Sequence, residues 1–148
     1  MNDRLLSILC FTLLLFACTT GASKELTASE RGSLSTLLVN LSSAVDTYFS
    51  TLSAPPTEND ADILAKATSP DPSLLAPAFN DYQLKTQYQG HYAILLLCSK
   101  DGSVAYMEDA GCSARLDRQV TQAVPCEFTL KVSPNCQVEG GDQSGQSH

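Results

Sequence analysis

Apolar residues recur every three or four positions near the start of the chain, at Leu34, Leu38, Leu41, Val45, Tyr48 and Leu52. This spacing places them on one face of an α-helix and predicts a long amphipathic helix over residues 28–53. Thr27 and Glu30 precede the run with the spacing of a capping box, which is typical of a helix start. We expect the opposite face to be solvated, and it carries Ser35, Ser42, Ser43, Asp46 and Ser50.

From residue 82 onward the apolar residues follow the two-residue period of β-strands. Alternating or wholly apolar runs predict strands at residues 82–88, 92–98, 104–108 and 127–132. The second run is almost entirely apolar, which is typical of a central strand covered on both faces. Asp101 and Gly102 predict the hairpin turn before the third strand. A short helix capped by Thr57 and a helical turn within residues 114–120 are also expected.

Together these elements predict an α+β fold, in which the long N-terminal helix packs on a small antiparallel sheet of about four strands. The sequence divides into a signal peptide at residues 1–22, one globular domain at 23–138, and a disordered tail at 139–148. About 125 residues remain after the signal, which is the size of one ordinary domain.

The N-terminal segment has the three parts of a secretory signal peptide. Arg4 closes a short, weakly basic start, residues 5–17 are almost purely apolar, and small residues follow. The apolar run is shorter than the roughly 20 residues that a membrane span needs. The sequence therefore predicts an exported protein.

Residues 14–18 read Leu-Leu-Phe-Ala-Cys, which resembles the lipobox of bacterial lipoproteins. The resemblance implies cleavage before Cys18 and acylation of its thiol, so that the membrane is reached through this lipid anchor. Thr19 replaces the aspartate that retains many such proteins in the inner membrane, which implies the outer membrane, facing the periplasm. Simple secretion after cleavage at Ala22 and an uncleaved anchor are the two alternatives.

The chain has 148 residues and a formal net charge of −7. This charge does not favour binding to nucleic acid or to an anionic membrane surface. It suits a cationic partner better, unless it serves only to keep the protein in solution.

Four cysteines fall in the predicted domain: Cys98, Cys112, Cys126 and Cys136. An even number in an exported chain predicts two disulfides, whereas the alternative of a zinc site lacks the usual CxxC spacing. The predicted strands keep Cys98 far from Cys112 and Cys126 far from Cys136, which leaves two crossed pairings. If the last strand lies beside the third, Cys112 pairs with Cys126 and Cys98 with Cys136.

Few residues of this chain suit catalysis or ligand binding. Its two histidines are His91, at a predicted turn, and His148, at the end of the tail. The sequence has neither the G-x-S-x-G motif of many hydrolases nor a glycine-rich phosphate loop. It therefore predicts no cofactor and no metal site.

Glu108 and Asp109 are the remaining candidates, as a surface site at the end of the third strand. Converging carboxylates could perform acid–base chemistry or bind Ca²⁺. Adjacent strand residues point to opposite faces, however, so a solvated loop or an ion pair with Arg115 or Arg118 is the alternative.

We therefore expect a lipid-anchored or secreted envelope protein that binds another protein without catalysis. Disulfides would keep the binding surface rigid and lower the entropic cost of association. One alternative is a periplasmic carrier of a small apolar ligand, which needs a cavity lined by Leu38, Val45, Leu95 and Leu97. The other is a hydrolase built on Glu108, Asp109 and His91.

Overall fold

The structure is a computed structural model that describes residues 24–75 and 77–140. The predicted signal peptide, Cys18 with its predicted lipidation, and tail residues 141–148 lie outside the described residues. The elements are α1 (Ala28–Ser50), α2 (Asp60–Ala67), 3₁₀ turns at Pro72–Leu75 and Pro77–Phe79, β1 (Tyr82–Gln89), β2 (Tyr92–Ser99), β3 (Ala105–Asp109), β4 (Arg118–Gln119), β5 (Lys131–Val132) and β6 (Val138–Glu139). None of the helices in these two ranges is long and apolar enough to cross a bilayer.

Helix α1 begins with the predicted capping box. The Glu30 N–H donates to Thr27 Oγ1 at 3.2 Å, and the Thr27 N–H donates to Glu30 Oε2 at 2.9 Å. The helix ends at Ser50, three residues before the predicted end, where the Thr51 hydroxyl donates to the Tyr48 carbonyl. Its apolar face is buried through Leu34, Leu38, Leu41, Val45 and Phe49.

Helix α2 begins at Asp60, because Asn59 rather than the predicted Thr57 serves as its cap. The Asn59 side chain accepts the Asp62 N–H at 3.0 Å. Asp60 also accepts the backbone N–H and the hydroxyl of Thr86 at 2.8 and 2.7 Å. A single carboxylate thus attaches this helix to strand β1.

Strands β1 to β4 form an antiparallel sheet in the order β1-β2-β3-β4. The β2 strand is central and almost wholly buried, as predicted. Helix α1 packs on one face of this sheet through one apolar cluster that includes Leu38, Leu95 and Met107. The α+β fold with a four-stranded antiparallel sheet is therefore confirmed.

The fourth strand lies in a different part of the sequence from the predicted one. Strand β4 is Arg118–Gln119, where a helical turn was predicted. Its continuation runs beside β3 and the residues just before it, since the Ala105 N–H donates to the Val124 carbonyl at 3.0 Å and Val104 bridges Pro125. Residues 118–126 therefore occupy the position that the prediction gave to residues 127–132.

Residues 126–132, which we call the strap, cover the second face of the sheet. Only Lys131 and Val132 belong to a strand, and they pair with β6 in a separate two-stranded sheet. The strap side chains Phe128 and Leu130 pack in the clusters that cover this face, against residues such as Ile94.

Side chains of the sheet, rather than a β-ladder, satisfy much of the strap backbone. Lys85 Nζ donates to the Cys126 carbonyl at 3.2 Å, and the Val132 N–H donates to Gln89 Oε1 at 2.9 Å. Glu108 Oε1 accepts the N–H groups of Thr129 and Leu130. The polar residues of β1 and β3 thus fix an extended segment on their own sheet.

Two disulfides are present: Cys98 bridges Cys126, and Cys112 bridges Cys136, with Cα separations of 5.8 and 5.6 Å. The predicted number of bridges is confirmed, as are the two excluded pairs. The predicted pairing of Cys112 with Cys126 and Cys98 with Cys136 is wrong. Because residues 118–126 run back along β3, Cys126 lies at the sheet end that carries Cys98.

Candidate functional site

The predicted surface site at Glu108 and Asp109 is buried, with both side chains 0% exposed. As expected for neighbours in a strand, the two side chains point to opposite faces of the sheet. Glu108 faces the strap, where it contacts Thr129 and Leu130, and Asp109 faces helix α1, where it contacts Ser42. The two carboxylates therefore do not form a shared surface site.

Glu108 holds the strap and strand β4 together. Its Oε1 accepts the N–H groups of Thr129 and Leu130 at 2.8 and 2.9 Å. Its Oε2 accepts the Thr129 hydroxyl at 2.8 Å and Arg118 Nη1 at 3.1 Å. The ion pair with Arg118, one of the predicted alternatives, is thus present, and Arg118 is itself 13% exposed.

Asp109 joins helix α1 to the loop that follows β3. Ser42 Oγ donates to Asp109 Oδ2, which also accepts the Gly111 N–H at 3.1 Å. Asp109 Oδ1 accepts the Asp117 N–H at 3.2 Å, and Asp117 Oδ2 in turn accepts the Ala110 N–H at 2.8 Å. The two aspartates thereby close the loop of residues 110–117.

Ser42 and Asp46 correct the prediction that the second face of α1 is solvated. Ser42 is 0% exposed, and Asp46 Oδ1 accepts the Ala93 N–H of β2 at 3.1 Å. Gly111 approaches this part of the helix so closely that an added Cβ would lie 2.8 Å from the Ser42 carbonyl. Ser35 is half-buried, whereas Ser43 and Ser50 are exposed as predicted.

Burial raises the pKa of Asp109, although the hydrogen bonds from Ser42, Gly111 and Asp117 oppose the shift. Burial likewise raises the pKa of Asp117, and the nearby Asp109 adds to this effect. The pKa of Asp46 is raised by the same cause. Three carboxylates at the helix–loop junction therefore hold protons more tightly than ordinary aspartates do.

Asp109→Asn should flatten the pH dependence of stability. Because the pKa of Asp109 is raised on folding, the native state binds its proton more tightly than the unfolded state does. Its contribution is complete below the unfolded pKa and is lost as the pH rises from about 4 through the folded value. The asparagine variant has no carboxyl group at this position and does not undergo this loss. As the pH is raised from 4 to 7, its urea midpoint should therefore increase relative to that of the wild type.

Asp101→Asn provides a control of opposite sign. Hydrogen bonds from Ser99 and Ser103 lower the pKa of Asp101, so its stabilising contribution is lost as the pH falls. The urea midpoint of this variant should be lower than that of the wild type at neutral pH, and the difference should shrink in acid. If the urea midpoints of the wild type and Asp109→Asn differed by the same amount at every pH from 4 to 7, the raised pKa of Asp109 would be contradicted.

His91 does not complete a catalytic group with the two carboxylates. It occupies the β1–β2 turn after Gly90, with a positive φ of 80°, and its ring lies 6.2 Å from the ring of Tyr88. The two buried carboxylates are engaged by the groups described above. The described residues therefore do not bring together Glu108, Asp109 and His91 as a hydrolase would require.

The residues predicted to line an apolar cavity are core residues. Leu38, Val45, Leu95 and Leu97 are all 0% exposed and belong to one hydrophobic cluster. A hollow of about 280 Å³, which lies elsewhere, has none of them in its wall.

This hollow, which we call the N-terminal hollow, lies between the start of the domain and the chain after β4. Its wall includes Lys24, Arg31, Val104, Tyr106, Val120 and Ala123. The Tyr106 hydroxyl donates to the Lys24 carbonyl at 2.7 Å. This hydrogen bond fixes the segment that begins at Lys24 to the sheet, beside the hollow.

Arg31 is the best-positioned cation in this wall. Its Nε donates to the Leu26 carbonyl at 3.1 Å, and its Nη1 donates to the Val120 carbonyl at 2.9 Å. Sequence reasoning missed Arg31, because it lies in the first turns of a helix and its second partner is 89 positions away. The only local signal is a cation near a helix N-terminus, where acidic residues are normally favoured.

No protein-family model, curated protein or solved structure matches this chain.

Proposed function

We propose that this chain is an exported cell-envelope protein, anchored by lipid at Cys18 in the outer membrane, that binds another protein without catalysing a reaction. The observation that carries the proposal is the pair of disulfides, Cys98–Cys126 and Cys112–Cys136. Disulfides persist in oxidising compartments such as the periplasm and are rare in the cytosol. Together with the signal-like N-terminal residues they favour export.

The start of the domain suits a short tether. Leu26 is buried and the Lys24 carbonyl accepts the Tyr106 hydroxyl, so the chain is fixed to the domain at a residue only six positions after Cys18. The intervening residues could span at most about 20 Å when fully extended. A lipid at Cys18 would therefore keep this end of the domain close to the membrane.

A binding role fits the way in which the buried charges are used. Glu108 holds the strap and Asp109 closes a loop, and the two point away from each other. Disulfides at both ends of the C-terminal region limit its motion, which lowers the entropic cost of binding. These features favour a rigid recognition module over an enzyme.

Intact mass spectrometry of the protein expressed in a Gram-negative host tests the anchor. The membrane fraction should contain a chain that begins at an acylated Cys18 and gains four hydrogens on reduction. Cys18→Ser should abolish the membrane form, whereas Cys10→Ser, the matched change in the same apolar segment, should leave it intact. A soluble chain beginning near Ser23 would reject the anchor.

Photo-crosslinking in intact cells tests the binding role. A crosslinker at Gln122, beside the N-terminal hollow, should give a reproducible adduct of defined mass, and one at Asp62 on α2 serves as the control. The absence of any adduct from probes placed over the exposed surface would contradict a protein-binding function.

A further inference from the structure

We propose that the N-terminal hollow binds the C-terminal carboxylate of a partner protein, with Arg31 as the group that holds it. This inference rests on the proposed protein-binding function and names its recognition surface. C-terminal carboxylates are a recurrent target of peptide-recognition sites.

Arg31 presents a fixed guanidinium without a carboxylate partner. Its bonds to the Leu26 and Val120 carbonyls use Nε and Nη1, so Nη2 keeps its hydrogens for another acceptor. No carboxylate oxygen of the described residues lies within the ion-pair distance of 4.0 Å. The chain has a net charge of −7, yet none of its described acidic residues pairs with this half-buried arginine. Arg31 is therefore well suited to bind an external anion.

The surrounding charges favour a single negative charge over a phosphate. Lys24 lines the hollow, but its ammonium is paired with Glu30 at 2.5 Å. Glu25 also lies in the wall and would repel a dianion. One guanidinium beside one repelling carboxylate suits a monoanion better than a dianion, and the N–H groups of Nη2 are left to donate to a carboxylate oxygen.

The rest of the wall fits a small apolar side chain. Val104, Val120 and Ala123 supply apolar surface beside the guanidinium. The volume of about 280 Å³ lies just below the range of about 300 to 1,000 Å³ that is typical of small-molecule sites. The hollow therefore suits the last one or two residues of a chain that ends in a small apolar amino acid.

Titration of the ¹⁵N-labelled protein with acetyl-Ala-Ala tests this inference by NMR. The free acid should shift the amide signals of residues 120–123, and the C-terminal amide of the same peptide should bind at least about tenfold more weakly. Arg31→Gln should cause a loss of similar size, whereas Arg115→Gln, a matched change at an exposed arginine, should have no effect.

Because Arg31 also links two parts of the chain, a second variant leaves it in place. Ala123→Trp should fill the hollow and abolish peptide binding while the remaining amide signals stay folded. Inorganic phosphate should bind more weakly than the peptide acid. Equal binding of acid and amide, tighter binding of phosphate, or no shift with the acid would overturn the inference. A crosslinked partner found together with a negative peptide titration would overturn the carboxylate site but leave the binding function standing.

Discussion

Replacing Glu108 with alanine should lower the free energy of unfolding by about 3–5 kcal/mol, the cost of breaking a buried ion pair from one side. The change removes the acceptor for the N–H groups of Thr129 and Leu130 and leaves Arg118, which is 13% exposed, without its carboxylate. Each of these donors then loses a hydrogen bond, and for Leu130 and Arg118 little water can reach the site to replace it. Native proteins are typically stable by about 5–15 kcal/mol, so this loss is a large fraction of the total.

Urea unfolding followed by circular dichroism measures this effect. Glu127→Ala, at an exposed glutamate on the same strap, should change the free energy of unfolding by no more than about 0.5 kcal/mol. Thr129→Val removes only the hydroxyl bond to Glu108 and should cost about 1 kcal/mol. A Glu108→Ala variant as stable as Glu127→Ala would show that the strap does not depend on this carboxylate.

The elements set by local pattern were predictable from sequence. The stripe that includes Leu38 and Val45 predicts the buried face of α1, and the Thr27–Glu30 box predicts its start. The apolar run of β2 predicts a central strand, and its burial confirms this. In each case the signal and the structure depend on residues a few positions apart.

The polar contacts of the buried carboxylates were not predictable in the same way. Ser42 has the spacing of a solvated helix position, but Asp109, 67 positions later, accepts its hydroxyl. Asp46 similarly binds the backbone of Ala93. A periodic pattern records which residues are polar, not whether distant donors and acceptors will satisfy them inside the protein.

The strap shows why the disulfide pairing was also missed. Residues 127–132 alternate like a strand, so the prediction gave them a place in the sheet. In the structure, side chains of Lys85, Gln89 and Glu108 form hydrogen bonds with the backbone of residues 126–132 instead. The sequence pattern shows only that these side chains are polar residues of strands. Because this segment is not part of the sheet, Cys126 lies at the end of the sheet that carries Cys98, whereas the prediction placed it near Cys112.

The two disulfides should differ in their effect on stability even though their loops are nearly equal. The sequence separations are 28 and 24 residues, so the entropic contribution of each bridge is about 3.5 kcal/mol. The Cys98–Cys126 bridge is buried, with its cysteines 0% and 7% exposed, whereas Cys112 and Cys136 are half-buried. Replacing Cys98 and Cys126 by alanine therefore adds a packing loss of about 1 kcal/mol.

Trypsin provides a direct check of the pairing, because cleavage after Lys85, Lys100, Arg115, Arg118 and Lys131 places the four cysteines in four separate peptides. The unreduced digest should join residues 86–100 to 119–131 and residues 101–115 to 132–148. Peptides 101–115 and 119–131 joined to each other would instead restore the sequence-based pairing.

With the observed pairing established, urea unfolding should show Cys98→Ala/Cys126→Ala to be less stable than Cys112→Ala/Cys136→Ala. Equal stability would mean that burial of the first bridge contributes nothing beyond loop closure.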